Sequence, residues 1–417
     1  MKTAILHYSA PPVIGGVEAV MQAHAEVFLQ NGVDVTLIAG RGAPAALPKG
    51  AGWVEIAELD TRHPLVEEIT SSLNQGRVPA EFGELKARLH TILAEVLPTF
   101  DHVFVHNIFS KHFNLPLTAA LADLAAAGQV PGCIAWCHDF TWSSPNSRHK
   151  VFPGQPWDLL RSQLPGVRYV VVSRQRLREF AEITDRPLAE VAPQVPVIYN
   201  GVDLPEVLGL TPEGTHLAAQ LGLPDADLVL LMPVRVTQAK NIEFALELTA
   251  ALKNLGVRPK LVVTGPPDPH SSQSMAYFES LQAQRARLGL QEQAHFVYET
   301  APDEASGRTI DLPVVYDLLR CADIMLMPSH REGFGMPVLE AGLAGVPVVV
   351  SAAVPAAEEI ARDDLALRLE DQSSLQAARQ VLDFAQSNPG LHFRRRVRQQ
   401  LTWQALYERQ IKPLLQA

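Results

Sequence analysis

Cysteine is scarce. The chain has three, Cys133, Cys137 and Cys321, which cannot all pair, so a disulfide scaffold is excluded and a reducing cytoplasm is the expected compartment. Positive charge is also in deficit: 35 Lys and Arg stand against 45 Asp and Glu, a net charge of −10, which argues against nucleic acid as a partner. No apolar run approaches the ~20 residues a membrane span needs, so no transmembrane segment is expected. The N-terminal stretch MKTAILHYSAPP is too short in its apolar part for a signal sequence and runs into Pro11 and Pro12; it reads as a first buried strand. Short repeats and low-complexity segments are absent as well.

What is present is apolar patterning. The 417 residues exceed what one core usually covers, and 47% of them are hydrophobic, enough for a core in each of two domains. Apolar runs of strand length alternate with helical patterns, the signature of parallel sheets covered by helices. The first set is KTAILHY, VDVTLIA, HVFVHN, CIAWC, RYVVVS and VPVIYN; the second is LVLLMPV, KLVVTG, HFVYE, DIMLMPS and VPVVVS. Between them NGVDLPEVLGLTPEGT is rich in Gly and Pro, which places a linker near residues 200 to 215. The expected architecture is α/β, two doubly wound Rossmann-like domains facing each other across a deep cleft, residues 1 to 200 and 201 to 399. Ligands of such sheets bind at the carboxyl ends of the strands.

Four stretches follow a strand and precede a helix. In APPVIGGVEAV, Gly15 and Gly16 either let backbone N–H groups approach an anion at the helix N-terminus or simply make a tight turn. In CIAWCHDFTW, His138 follows a buried strand, where it could bond a sugar hydroxyl, assist proton transfer or serve structure; Asp139 could cap the next segment. Cys133, Cys137 and His138 lie in an apolar run with no second cluster to complete a metal tetrahedron, so core packing is expected for the cysteines and no metal. In LVLLMPVRVTQAKNIEF, Arg235 and Lys240 converge on a helix start, which suits a diphosphate, although solvated surface charges are the plain alternative.

The most specific stretch is DIMLMPSHREGFGMPVLEAGLAG. After a buried strand, Gly333 and Gly335 free a loop whose N–H groups can face a ligand, Pro337 fits the first helical turn, and Glu332 and Glu340 stand at the loop and about one turn into the helix. Two acceptors beside a row of donors match a polyhydroxylated ligand, while carboxylates also favour helix N-termini on dipole grounds alone.

EGFGMPVLE resembles the E-x7-E motif of the retaining glycosyltransferases of family 4, which have the GT-B fold. Gly15 and Gly16, His138 and Asp139, YNGVD at Tyr199 to Asp203, and Arg235 with Lys240 fall in that family's order and spacing, so the resemblance covers nearly the whole chain. It implies an enzyme that moves a hexose from a nucleotide-diphosphate sugar, of GDP-mannose or UDP-glucose type, to an acceptor hydroxyl with retention and without a metal or other cofactor. Arg235 and Lys240 would neutralise the diphosphate, helped by the backbone near Gly15 and Gly16. Glu340 would hold the ribose, and Glu332 with Gly333, Phe334 and Gly335 the sugar, Met336, Val338 and Leu339 completing the donor site. His138 would contact the transferred sugar, and charge stabilisation on the leaving diphosphate would be the main catalytic contribution. The acceptor, whether saccharide, other small molecule or lipid-linked, is not indicated.

Competing signals are weaker. Asp225 and Asp227 spell a DxD but precede a strand, away from its carboxyl end, and read as turn residues. A phosphorylase or epimerase on the same fold, or an oxidoreductase using the G-x-G at Gly333 to Gly335, are the alternatives; Val338 replaces the third glycine of the latter fingerprint. Residues 299 to 319 and the aromatic stretch 140 to 160 are longer than the family's usual loops and are expected near the base and the acceptor. Residues 41 to 100 lack a basic amphipathic helix. Arg394, Arg395, Arg396 and Arg398 are expected in a C-terminal helix, residues 400 to 417 packing back onto the first domain through Trp403, Leu406, Tyr407 and Ile411.

Overall fold

The computed structural model describes residues 1–268, 273–301, 307–370 and 372–416. The chain divides into two compact units, Met1–Val202 with Trp403–Ala417, and Asp203–Thr402. Each holds one six-stranded parallel sheet.

In the first unit the strands are β1 (Lys2–Leu6), β2 (Asp34–Ala39), β3 (Gly52–Glu55), β4 (His102–His106), β5 (Cys133–Cys137) and β6 (Arg168–Val171), in the order β3-β2-β1-β4-β5-β6. The chain winds outward from β1 to one edge, returns to β4 and winds to the other, so the switch point lies between β1 and β4. The second unit repeats this with β7 (Leu228–Met232), β8 (Pro259–Val263), β9 (Ala294–Phe296), β10 (Ile324–Met327), β11 (Val348–Ser351) and β12 (Leu367–Leu369), ordered β12-β11-β10-β7-β8-β9. Its switch point lies between β7 and β10. Central strands such as LVLLM are buried at every residue, because helices cover both faces and no alternation is required.

Three local expectations change. Two of the four edge strands, β3 and β12, lack an apolar run: GWVE is half-buried to exposed throughout, and LRL is buried only at Leu369. An edge strand with one solvated side carries little hydrophobic signal. VPVIYN forms only a single bridge, Val171 to Val197. The Gly- and Pro-rich stretch read as a linker folds as two helices, Leu204–Leu208 and Pro212–Gln220. Asp203 and Thr211 cap them, accepting from the N–H groups of Glu206 at 2.7 Å and Gly214 at 3.0 Å, and Pro205 and Pro212 sit in the first turns. Those prolines punctuate helix starts.

The arginine cluster also differs from expectation. Helix Pro389–Gln400 stays with the second unit. Arg398 is buried there, its guanidinium making two 2.9 Å bonds to the Asp323 carboxylate and one to the Ala226 carbonyl, and Arg394 donates to the Arg320 carbonyl. The chain joins the first unit only at Trp403, after which Leu406, Tyr407, Ile411 and Leu415 enter a core shared with Phe28, Phe104 and Trp136. Cys133, Cys137 and Cys321 are free and buried. Burial pushes the Cys133 and Cys137 thiols up to about 12, as apolar packing requires. No helix among the described residues is long and apolar enough to cross a membrane.

Candidate functional site

At the carboxyl end of β7 the chain turns through Pro233 and Val234 to Arg235, whose side chain is 62% exposed and stands 4.0 Å from Asp268. A short 3₁₀ turn, Gln238–Lys240, then leads to Asn241 in the left-handed region (φ 53°) and to helix Ile242–Asn254. The Asn241 amide donates to the Pro328 carbonyl at 3.0 Å, and the His330 N–H to the Ala239 carbonyl at 2.9 Å. These bonds tie the loop after β7 to the loop after β10, the two strands that flank the switch point.

Between those loops Lys240 Nζ lies 2.5 Å from Glu332 Oε1, with the Lys240 side chain 21% and that of Glu332 9% exposed. The Ser329 hydroxyl donates to the same oxygen at 2.9 Å. Such a charge-assisted, largely enclosed bond is strong, and it leaves the Lys240 charge balanced by the chain's own carboxylate. Gly335 has φ 100°, and a Cβ there would fall 2.5 Å from Val354 Cγ1, so both backbone and space demand glycine. At Gly333 a Cβ would meet nothing within 4 Å.

Helix Met336–Leu343 follows with Pro337 in its first turn. Glu340 accepts a 3.4 Å bond from the Tyr316 hydroxyl, a partner supplied by helix Leu312–Cys321. Phe334, Met336 and Leu339 are exposed. Val338, expected at the donor site, is buried in the unit's core and can offer only backbone. Arg235, Lys240, Asp268, Glu332, Gly335 and Met336 line a cavity of about 380 Å³. A larger one, about 520 Å³, lies beside it toward β11 and β12, lined among others by His330, Ser351, Arg368 and Glu370; none of the expected site residues faces it.

The corresponding place in the first unit has different chemistry. Gly15 is the extended N-cap of helix Gly16–Gln30, and a Cβ there would lie 2.1 Å from Glu18 Oε2. Glu18 is buried and accepts from the Ser9 hydroxyl at 2.6 Å. The chain's own carboxylate thus sits against the glycine turn expected to approach an anion. The His138 backbone N–H donates to Asn107 Oδ1 at 2.9 Å, and its Nε2 lies 3.1 Å from His106 Nδ1. Burial pushes His138 down to about 3, with a smaller contribution from His7, so at neutral pH the ring is uncharged. Asp139 caps its successor, accepting from the Phe140 N–H at 2.9 Å, and pairs with Lys111 at 2.8 Å and Arg176 at 3.6 Å. Burial alone would raise the Asp139 carboxyl, but these bonds and charges outweigh it and hold it below its usual value.

Several predicted motif residues are structural here. In YNGVD, Gly201 lies against Trp403, where a Cβ would come within 2.8 Å of the indole, and Asp203 is a helix cap. Asp227, at the amino end of β7, is bonded to Arg258 and Gln399 and held down to about 2 against the opposing effect of burial. The aromatic stretch 140 to 160 folds onto its own unit, Trp142 donating to the Trp157 carbonyl at 3.1 Å with Arg161 over the Trp142 ring. Of the stretch 299 to 319, residues 302 to 306 lie outside the described residues. Tyr316, Ser329, Lys111 and Glu18 carry no motif of their own; only a doubly wound topology, placing their elements beside the named ones, brings them in.

Fold and site together define a protein of two doubly wound α/β units with a cation–carboxylate constellation at the switch point of the second. Residues 215–401 match the family described as glycosyl transferases group 1, a match that lies within the second unit. Among curated relatives, D-inositol 3-phosphate glycosyltransferase of Streptomyces coelicolor is 30% identical over 294 residues, covering 63% of this chain and 60% of the relative. D-inositol 3-phosphate glycosyltransferase 1 of Catenulispora acidiphila is 26% identical over 344 residues, covering 81% and 74%. The matches to the first two relatives thus span about 60% of those proteins' length. Similar solved structures include Anabaena HepE in complex with UDP, 17% identical with full coverage of both chains and a TM-score of 0.35. Another is the trehalose-6-phosphate synthase OtsA, 13% identical over 100% of this chain and 99% of that one, with a TM-score of 0.40.

Proposed function

We propose that the protein is a glycosyltransferase that moves a hexose from a nucleotide-diphosphate sugar to an acceptor hydroxyl, with retention of configuration and without a metal. The observation that carries this reading is the Lys240–Glu332 pair at the β7–β10 switch point, with Arg235 exposed beside it. A diphosphate entering the cavity offers Lys240 a second anion. Lys240 and Arg235 then take up the charge that grows on the leaving diphosphate, the role a metal fills elsewhere. Glu332, released from Lys240, becomes an acceptor for sugar hydroxyls, and Glu340, steadied by Tyr316, one for the ribose. Neutral His138 serves the first unit as a hydrogen-bonding group.

The base and sugar, GDP-mannose or UDP-glucose in type, are open to test, and the names of the relatives make a phosphorylated cyclic polyol one acceptor to try. Three free buried cysteines suit a cytoplasmic protein. Melting shifts with UDP, GDP, ADP and their sugars, with and without chelator, test the reading. It expects one diphosphate to stabilise the protein regardless of chelator, and Lys240→Ala to abolish the shift. Stabilisation that requires a divalent cation, or none by any diphosphate, would overturn it.

A further inference from the structure

We propose that His106 is a positioning residue that holds His138 in its Nδ1–H tautomer, so that His138 meets a ligand as a hydrogen-bond donor. His106 ends β4 and lies across from Trp136 of β5, two residues before His138. Its ring is fully buried and lies nearly parallel to that of His138, with centroids 5.4 Å apart and an angle of 23°. Its Nδ1 lies 3.1 Å from His138 Nε2, while its Nε2 is enclosed with no hydrogen-bond partner.

Burial keeps both rings neutral, so the nitrogen–nitrogen contact holds one proton and one lone pair. If His138 donated, the single proton of His106 would have to sit on Nε2, as a buried N–H with no acceptor. If His106 donates from Nδ1, its Nε2 is left only with an unused lone pair. A buried N–H without an acceptor keeps its full desolvation penalty and is rarer than an under-used acceptor. The neighbouring rings do not change the choice: His24, 5.3 Å away between centroids, also has both nitrogens unpartnered. His106 therefore donates, His138 Nε2 accepts, and the His138 proton is on Nδ1.

Among the described residues that nitrogen meets no hydrogen-bond partner, and it is not enclosed. The residue is held at two points, by His106 at the ring Nε2 and by the Asn107 side chain at the backbone N–H. Asn107 itself adopts a positive φ of 58°, which fixes the approach of that side chain. The group His138 recognises must accordingly present an acceptor oxygen, and His138 has no exposed lone pair with which to take a proton. On the transferase reading, on which this last step rests, the acceptor is a hydroxyl oxygen of the transferred sugar.

The tautomer is read without any ligand. Long-range proton–nitrogen correlation spectra of protein carrying ¹⁵N-histidine, at neutral pH, report which nitrogen bears the proton, and His138→Gln and His106→Asn assign the signals. We expect protonated Nδ1 and bare Nε2 in both rings; protonated Nε2 in His138 overturns the proposal. Hydrolysis of UDP-glucose and GDP-mannose supplies the second arm. His106→Leu should lower kcat roughly tenfold, the worth of about one hydrogen bond, while the melting shift given by the nucleoside diphosphate persists. His106→Asn, which keeps a donor near the same place, should restore most of the loss. A folded Leu variant with undiminished kcat and an unchanged His138 tautomer also overturns it. Failure of the wild type to hydrolyse either sugar nucleotide sinks the transferase reading and leaves the tautomer to the spectra.

Discussion

The two switch points occupy the same place in the same topology and differ in charge. Between β7 and β10 stand Lys240, Arg235 and Glu332, charged and open to a cavity. At the carboxyl ends of β1, β4 and β5 stand His7, His106 and His138, which burial keeps neutral, and the anion place by Gly15 is taken by Glu18. Winding order decides where a ligand binds, and the side chains that end the strands decide what is bound. On the proposed function, the second unit takes the diphosphate and the first meets hydroxyls.

The largest effect separates functional from structural charge within the second unit. Asp323 and Arg398 form a buried pair, 3% and 4% exposed, with Asp323 preceding β10 at its amino end. Asp323→Ala leaves Arg398 uncompensated and should cost about 3–5 kcal/mol in denaturant unfolding; a loss under about 1 kcal/mol would show the pair to be dispensable. Next, Lys240→Ala should weaken calorimetrically measured diphosphate binding by about 2–4 kcal/mol, and, because it leaves the enclosed Glu332 carboxylate without its cation, it should also lower the Tm. Equal affinity in mutant and wild type would erase the contrast between the two switch points.

A third prediction concerns the neutral site. Burial pushes His24 down to about 3, with His138 adding to it, and neither ring nitrogen has a partner. The folded value lies below the unfolded one near 6.5, so the unfolded chain binds the extra proton between those values. Stability is then full above about pH 6.5 and falls as pH drops toward 3, by about 2 kcal/mol from this residue at pH 5. His24→Phe should flatten the pH dependence of Tm between about 7 and 5; an unchanged slope would mean that His24 does not titrate on unfolding. The smallest effect is at Glu340, where Tyr316→Phe should weaken nucleotide binding by about 1 kcal/mol or less and leave pyrophosphate binding untouched.

Much of this was legible in the sequence because it is carried by contiguous signals. Ten of the strands coincide with apolar runs, and the G-F-G turn with Pro337 marks the start of the helix bearing Glu340. The Lys240–Glu332 contact joins residues 92 apart, yet both follow strands, so the carboxyl-end rule places each without showing that they touch. Side chains lacking such a marker were not legible. Tyr316 sits mid-helix, Ser329 looks like any loop serine, and His106 reads as the end of a strand; each acts only once the topology sets a neighbour beside it. Arg398 was expected in a C-terminal helix, but its buried partner Asp323 lies 75 residues away and appears only once the topology sets the two together.

The most direct test of the central claim is an experimental structure with a bound nucleoside diphosphate. The account predicts diphosphate oxygens within hydrogen-bond distance of Lys240 Nζ and the Arg235 guanidinium, with the Glu332 carboxylate turned away from Lys240. A diphosphate seated instead in the larger cavity beside Arg368, with Lys240 and Glu332 still paired, would contradict it.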